Sequence, residues 1–423
     1  MRLLIISHGH PAFHPGGGEL LAHSLYQALR HDDGCEAFFV GFVYPQLLSG
    51  RDGQIIFAPN RNDRNDLAIR GNTFDFFMGR HGDPQISDAF AKIIQEIAPD
   101  VVHFHHFLMV GLESFRIVRT ILPSCKIVLT LHEYWAICAN AGQMVRTNGD
   151  LCYASSLYHC NACLPDYSPS LFFMREQFIK SFLVTVDRFI CPSRFLLDRY
   201  QAWGLAPERL ELIANGVLSM GNPQRQLLLS ISADKANLSH EGRRNRFGFF
   251  GQMTRTKGVQ VLLKAAKQLH DDGVDFQLGI HGTLALQEKS YREGLEAAFA
   301  DAADYASFFG AYQPRDTIEL MMQYDWIVIP STWWENAPLV VEEALAARRP
   351  IICSNIGGLK EKVTHGRDGL HFRVGDPCCL AETLTRAATD PDLWQTLQST
   401  LRQPISLAEC VAHHATLYQS LLD

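Results

Sequence analysis

Pro330-Ser-Thr-Trp-Trp-Glu335-Asn-Ala-Pro338-Leu-Val-Val-Glu-Glu343-Ala-Leu-Ala346 sets two glutamates eight positions apart around a proline. A short apolar run, Trp326-Ile-Val-Ile, leads into it and reads as a buried strand ending at Pro330. Pro338 predicts a helix start nearby, because the N–H that proline lacks would have had no intrahelical partner there. The free amides of such a start, with the helix dipole, favour an anion. Glu335 precedes the helix and Glu343 falls in its second turn, so the two carboxylates flank that anion position. Each can accept two hydroxyl hydrogen bonds, which suits a ligand joining phosphates to sugar rings. Solvated glutamates on an amphipathic helix are the competing reading.

Working outward, short apolar runs alternate with helical patterns, which predicts parallel sheets built from βαβ units. The runs in the first half are Leu3–Ser7, Ala37–Val43, Val101–Phe104, Ile127–Leu131 and Phe189–Cys191. Alternation restarts at Phe247-Gly-Phe-Phe, Phe276–Ile280, Phe308–Ala311, Trp326–Ile329 and Ile351–Cys353. Between them lies a polar segment whose Arg243, Arg244 and Arg246 read as a solvated surface. The fold class is therefore α/β, as two doubly wound domains of 1–217 and 247–404 joined by a linker of 218–246. Ligands of such sheets sit beyond the carboxyl ends of the strands, and two facing domains would place them in the cleft between.

Composition agrees with this size. A chain of 423 residues suggests two or three domains at roughly 100–200 residues each. With 47% apolar and 20% charged residues it is an ordinary globular sequence. A net charge of −7 provides no global field for nucleic acid, so phosphate binding must be local. The start Met-Arg-Leu-Leu-Ile-Ile-Ser reads as a first strand and not a signal peptide. No run approaches the ~18 apolar residues of a membrane span. Eleven cysteines, an odd number in a large chain, point to a reducing compartment such as the cytoplasm.

Three more segments fall at strand ends. His8-Gly-His10-Pro-Ala-Phe-His-Pro15-Gly16-Gly17-Gly18-Glu19 opens a helical pattern, and its glycines would let backbone amides approach an anion. The spacing is neither a dinucleotide fingerprint nor a Walker loop, and a plain tight turn is the alternative. Gly251-Gln252-Met-Thr-Arg255-Thr-Lys257-Gly258 also precedes a helix. A cation there opposes the dipole unless an anion lies between, making Lys257 and Arg255 candidate phosphate ligands. His132, in Leu131-His-Glu133-Tyr134-Trp135, is a candidate polar group at a reacting centre, with His103, His105 and His106 at another strand end.

Together these motifs resemble a retaining GT-B-fold glycosyltransferase of glycosyltransferase family 4. In the second half, Gly251…Lys257-Gly258, Pro330-Ser331…Glu335…Glu343-Ala344 and Gly357-Gly358…Glu361 follow the family's order. In the first half, Gly16-Gly17-Gly18, His132 and Cys191-Pro-Ser…Ile213-Ala-Asn-Gly216 do so. The resemblance implies two Rossmann-like domains facing a cleft, with residues 405–423 forming a helix that packs back on the first domain. It implies a sugar moved from a nucleotide-diphosphate sugar to a glycan, lipid-linked or other glycoconjugate acceptor, as in polysaccharide or glycoconjugate biosynthesis. The expected place is the cytoplasm, or the inner face of the membrane if the acceptor is lipid-linked. Catalysis would fall to His132, Glu335 and Lys257. The donor would be held by Gly17, Gly18, Gln252, Arg255, Lys257, Tyr312, Glu335, Asn336, Ala337, Leu339, Val340 and Glu343. Glu343 would take the ribose hydroxyls, Glu335 the sugar hydroxyls, Lys257 the diphosphate, and Tyr312 would lie near the base. Gln252 stands where many members carry arginine, and Arg255 is the candidate substitute. No catalytic cofactor or metal is implied, and Asp390-Pro-Asp392 reads as helix capping. A nucleotide-sugar epimerase and a non-catalytic nucleotide-sugar-binding protein are the other readings.

Cys138, Cys152, Cys160 and Cys163 follow His132. A structural zinc site, free thiols and a disulfide are the readings open for them. Downstream, Leu171-Phe-Phe-Met-Arg-Glu-Gln-Phe-Ile has an apolar helical face, read as core packing or as contact with a membrane surface or lipid-linked acceptor.

Overall fold

The computed structural model describes residues 1–14, 16–31, 34–44, 47–48, 54–71, 73–217, 244–284 and 287–423. The expected linker of 218–246 therefore lies, up to residue 243, outside the described residues, and so does Arg243. The chain divides into two compact units, Met1–Leu218 with Leu407–Asp423, and Ser219–Ser406.

The first unit carries eight strands: β1 Arg2–Ser7, β2 Glu36–Val43, β3 Ile56–Phe57, β4 Asp66–Arg70, β5 Val101–Phe104, β6 Lys126–Thr130, β7 Arg188–Cys191 and β8 Leu210–Leu212. Their order is β3-β4-β2-β1-β5-β6-β7-β8, and only the β3–β4 pairing is antiparallel. Helices cover both faces, so the central strands are buried almost throughout and read as unbroken apolar runs. Leu3, Ile5, Leu25, Tyr26, Phe39, Val101 and Val128 form one core with Leu417 and Tyr418 of the helix Leu407–Leu422. The Tyr418 hydroxyl shares a 2.7 Å hydrogen bond with His103 Nδ1, which anchors that helix beneath β5.

The second unit has six parallel strands, β9 Arg246–Phe250, β10 Gln277–His281, β11 Ala306–Gly310, β12 Trp326–Ile329, β13 Ile351–Ser354 and β14 Gly369–Phe372. Their order is β11-β10-β9-β12-β13-β14. Phe247, Leu262, Leu278, Trp326, Leu380 and Trp394 belong to its core.

In each sheet the strand order reverses beside one strand, β1 in the first and β9 in the second. Loops leaving the carboxyl ends of strands on either side of such a point diverge and leave a crevice. Most of the chemistry-bearing segments fall there, after β1 and β5 in the first unit and after β9 and β12 in the second, while His132 follows β6 one strand further on and Tyr312 follows β11 at the sheet edge.

The solvated reading of Arg244 and Arg246 is corrected. Arg244 is buried, with its guanidinium 3.9 Å from the centre of the Trp394 ring and 3.5 Å from Asp325. Arg246 opens β9 and pairs with the same carboxylate at 3.2 Å. Burial of Asp325 demanded the cations, and Asp325 lies some eighty residues further along the chain.

Candidate active site

In the second unit β12 ends at Ile329, and the loop from Pro330 leads to the helix Leu339–Ala346, with Pro338 at its cap. The helix begins one residue after the proline, and the amides of Leu339 and Val340 have no intrahelical acceptor. Glu335 is buried in the loop. Its Oε1 accepts from Lys257 Nζ at 2.6 Å and from Ser331 Oγ at 2.7 Å. Lys257 also lies 5.6 Å from the centre of the Trp333 ring.

Two glycines permit this arrangement. Gly258 has φ +74°, and a Cβ there would stand 1.9 Å from the Pro330 carbonyl oxygen. A Cβ on Gly358 would stand 1.5 Å from the Asn336 carbonyl oxygen, while the Gly358 amide donates to the Glu335 carbonyl at 2.6 Å. The Thr332 amide donates to the Thr256 carbonyl at 2.8 Å. The loops after β9 and β12 are thus sewn together, which brings Lys257 to Glu335.

The adjacent glutamates of the helix face different partners. Glu342 is buried against Arg402, which donates at 2.6 and 2.9 Å, and it accepts from the Ile405 amide at 3.0 Å. Glu343 keeps a solvent-accessible edge, yet burial pushes its carboxyl up to about 7. Tyr312 lies near enough to feel that carboxylate, and its hydroxyl is pushed up by burial and then by Glu343. An aromatic group that sequence reading missed backs Tyr312. The His281 ring stacks between Phe250 at 4.6 Å and Phe309 at 4.7 Å, and shares a 2.7 Å hydrogen bond with the Tyr324 hydroxyl. Burial holds His281 down at about 4, so it stays neutral. Its signal was faint, a histidine closing an otherwise apolar strand.

Not every predicted donor residue joins this group. Gln252 is exposed, and the exposed Arg255 lies over the Tyr291 ring, 4.3 Å from its centre. Asn336 is buried through its contact with Gly358, and Ala337 is half-buried.

In the first unit, Gly17 and Gly18 open the helix Gly17–Leu29, and Gly18 packs against the His132 ring. Glu19 folds back over the glycine loop to His8 Nε2 at 3.0 Å. Burial would raise its carboxyl, but the His8 contact outweighs this and holds it at about 2. His132 shares a 3.2 Å hydrogen bond with His105, and His106 meets Glu133 at 2.7 Å. Burial, followed by the repulsion of His106 and His8, takes His132 down to about 3, so it is neutral at physiological pH. Burial takes Glu133 the other way, to about 8. His10, His23 and Asp66 form the one group of potential metal ligands among the described residues whose ligand atoms all lie within 4.8 Å of one another. The Ala12 amide donates to His10 Nδ1, which leaves the Nε2 proton for Asp66 at 2.9 Å. That trio is thereby satisfied as hydrogen bonds pinning the loop after β1. Asp390 caps the helix Pro391–Thr400 by accepting from the Leu393 amide.

Two doubly wound parallel α/β units with their polar residues gathered at the switch points define a GT-B protein. The chain belongs to the glycosyltransferases: residues 15–217 match the model of Glycosyltransferase Family 4, and residues 230–403 that of Glycosyl transferases group 1. It is 28% identical over 182 residues to D-inositol 3-phosphate glycosyltransferase of Corynebacterium urealyticum, covering 40% of this chain and 39% of that protein. It is 22% identical over 333 residues to an uncharacterized glycosyltransferase of Methanocaldococcus jannaschii, covering 77% of this chain and 86% of that one. The chain thus spans less than half the length of the Corynebacterium protein. Among solved structures, sucrose-phosphate synthase of Thermosynechococcus elongatus superposes with TM-score 0.71 at 18% identity, over 100% of this chain and 99% of that one. Anabaena HepE in complex with UDP and glucose gives 0.67 at 17%, over 99% and 100%. No helix among the described residues is long and apolar enough to cross a membrane.

Proposed function

We propose that this chain transfers a sugar from a nucleotide-diphosphate sugar to an acceptor hydroxyl, with retention of configuration. The observation carrying this reading is the Lys257–Glu335 contact at the start of the helix Leu339–Ala346. It sets a cation, a buried carboxylate and two free amides within one loop system. Lys257 and the amides of Leu339 and Val340 would meet the diphosphate, Glu335 the sugar hydroxyls, Glu343 the ribose hydroxyls, and Tyr312 the base. The HepE structure, which holds UDP and glucose on the same fold, supports the donor class.

The contacts of Glu335 bear on mechanism. Its Oε1 already accepts two hydrogen bonds, one from a cation, which suits a carboxylate that binds hydroxyls and not one that attacks carbon. The chemistry then falls to the leaving group. The bond from anomeric carbon to phosphate oxygen breaks with its electron pair going to the diphosphate. The acceptor oxygen bonds the same face, and its proton passes to that departing phosphate. Lys257 and the helix amides stabilise the developing charge, so no catalytic metal is required. His132, held neutral, offers a hydrogen bond to a hydroxyl without introducing charge. Leu171, Phe173 and Met174, exposed on the helix Pro169–Leu183 while Phe172, Ile179 and Phe182 pack inward, suit a lipid-linked acceptor at a membrane surface.

A nucleotide-sugar panel tests the reading, first by thermal shift and then by release of nucleoside diphosphate with and without acceptor. Lys257→Ala should weaken donor binding by about tenfold to a hundredfold, the worth of a charge-assisted contact. Isomerisation of the donor without release would make the chain an epimerase. Binding without turnover on any acceptor would make it a non-catalytic binder.

A further inference from the structure

The loop following β6 contains a feature that sugar transfer leaves unused. The backbone brings Cys138, Cys152, Cys160 and Cys163 around one small cavity of about 30 Å³. Three local structures produce this. Cys138 closes a turn, with its amide donating to the Tyr134 carbonyl at 2.8 Å. Cys152 ends a tight hairpin in which Val145 pairs with Leu151, and its amide donates to the Met144 carbonyl at 2.8 Å. Cys160 and Cys163 lie three residues apart on the short helix Leu157–Cys163, hence on one face of it. The Ser156 amide donates to Cys160 Sγ at 3.4 Å, an N–H···S bond of the kind that favours a sulfur carrying negative charge.

A second observation is electrostatic. Arg175 is buried, and its guanidinium donates only to the carbonyl oxygens of Phe77, Trp135 and Ala136. Among the described residues it makes no ion pair with a carboxylate: its partners are these carbonyls and the Phe77 ring, 5.8 Å away, with Glu133 acting on it only at longer range. Trp135 and Ala136 stand three and two residues before Cys138, so the guanidinium is held at the start of the cysteine loop. Four thiolates around a divalent cation carry a net charge of −2, which would supply a counter-charge for the buried Arg175.

We propose that Cys138, Cys152, Cys160 and Cys163 form a site for one structural zinc ion, which ties the loop of residues 138–163 to the end of β6. Binding exchanges the four thiol protons for the ion, with no change of oxidation state. The cavity of about 30 Å³ is roomy enough for an ion. No three of these sulfurs yet lie mutually within 4.8 Å, whereas tetrahedral coordination at ~2.3 Å brings sulfurs to roughly 3.8 Å. The ion therefore contracts the loop. That loop includes Gly142, which packs on the carboxylate of Glu133, so the ion also steadies the Glu133–His106 contact.

The test uses the full chain, purified reduced and without chelator or polyhistidine tag. Metal analysis should find one zinc per chain. Cobalt exchange should give intense visible bands with thiolate-to-metal charge transfer, the signature of tetrahedral sulfur ligation. Cys160→Ser/Cys163→Ser should lose the metal, while Cys35→Ser and Cys378→Ser retain it. Should the double variant fail to fold, the cobalt spectrum of the unaltered chain still decides. Substoichiometric zinc with four chelator-independent reactive thiols overturns the proposal. So does a disulfide among the four, or an iron–sulfur absorbance. Zinc that survives Cys160→Ser/Cys163→Ser and disappears in His10→Ala overturns it too, by placing the ion at the His10–His23–Asp66 group.

Discussion

Donor binding should be linked to a proton through Glu343. Burial holds this carboxyl at about 7, so it is roughly nine-tenths protonated at pH 6 and one-tenth at pH 8. Ribose hydroxyls that donate to it need the carboxylate form. The apparent dissociation constant then carries a factor of (1 + 10^(7−pH)), which changes about tenfold between pH 8 and pH 6, or ~1.4 kcal/mol. Solvent at the accessible edge of Glu343 trims the expectation to about three- to tenfold. The assay is titration calorimetry with an intact nucleotide-diphosphate sugar. Its phosphodiesters do not titrate in this range, whereas the terminal phosphate of a free diphosphate would confuse the result. Binding should tighten as pH rises, and about half a proton should be released per donor bound at pH 7. Glu343→Gln should flatten the profile. An affinity independent of pH in the unaltered chain, or a slope surviving in Glu343→Gln, would mean that Glu343 does not accept the donor's hydroxyls.

Other outcomes follow from neighbouring residues. Glu342→Ala strips Arg402 of its buried partner and should cost about 3–5 kcal/mol, read as a lower melting temperature, while Glu343→Gln should not lower it at pH 8. Equal melting temperatures for the two variants would mean the helix phase is misread. Gly258→Ala forces a side chain into φ +74° and onto the Pro330 carbonyl, so roughly 1–3 kcal/mol of stability and the Lys257 alignment should both suffer. A neutral Gly258→Ala would show that the two loops are not sewn together there. Acid should destabilise the first unit through its buried histidines. His414 has a folded-state pKa of about 4, below its unfolded value, so its contribution is complete above roughly pH 6.5 and falls by ~2 kcal/mol at pH 5. An unchanged melting temperature between pH 7.5 and pH 5 would contradict this.

Most of the legible strands are buried on both faces, which leaves an unbroken apolar run even over four residues, as in Val101–Phe104 and Trp326–Ile329. Ile56–Phe57, Leu210–Leu212 and Gly369–Phe372 are short edge strands that leave little pattern of their own, and the inner strand Asp66–Arg70 has charged residues at both ends. Arg244 was misread because a basic cluster looks solvated until Asp325 and Trp394 are folded onto it. The His10–Asp66 contact joins residues 56 apart, and His103–Tyr418 joins residues 315 apart. No local spacing announces either.

By itself, the sequence determined the architecture and the order of its motifs. Apolar runs with period-switching and glycine punctuation are local consequences of strand and helix geometry. It also set which residue types stand at the strand ends. Tertiary structure decided their partners. It gave Glu342 to Arg402 and left Glu343 near Tyr312, although the two are adjacent and chemically identical. It placed Lys257 on Glu335 and Arg255 on Tyr291, although both cations lie in one turn. Pairing and burial depend on which distant surfaces close over a side chain, and a spacing of neighbours in the chain contains no record of that.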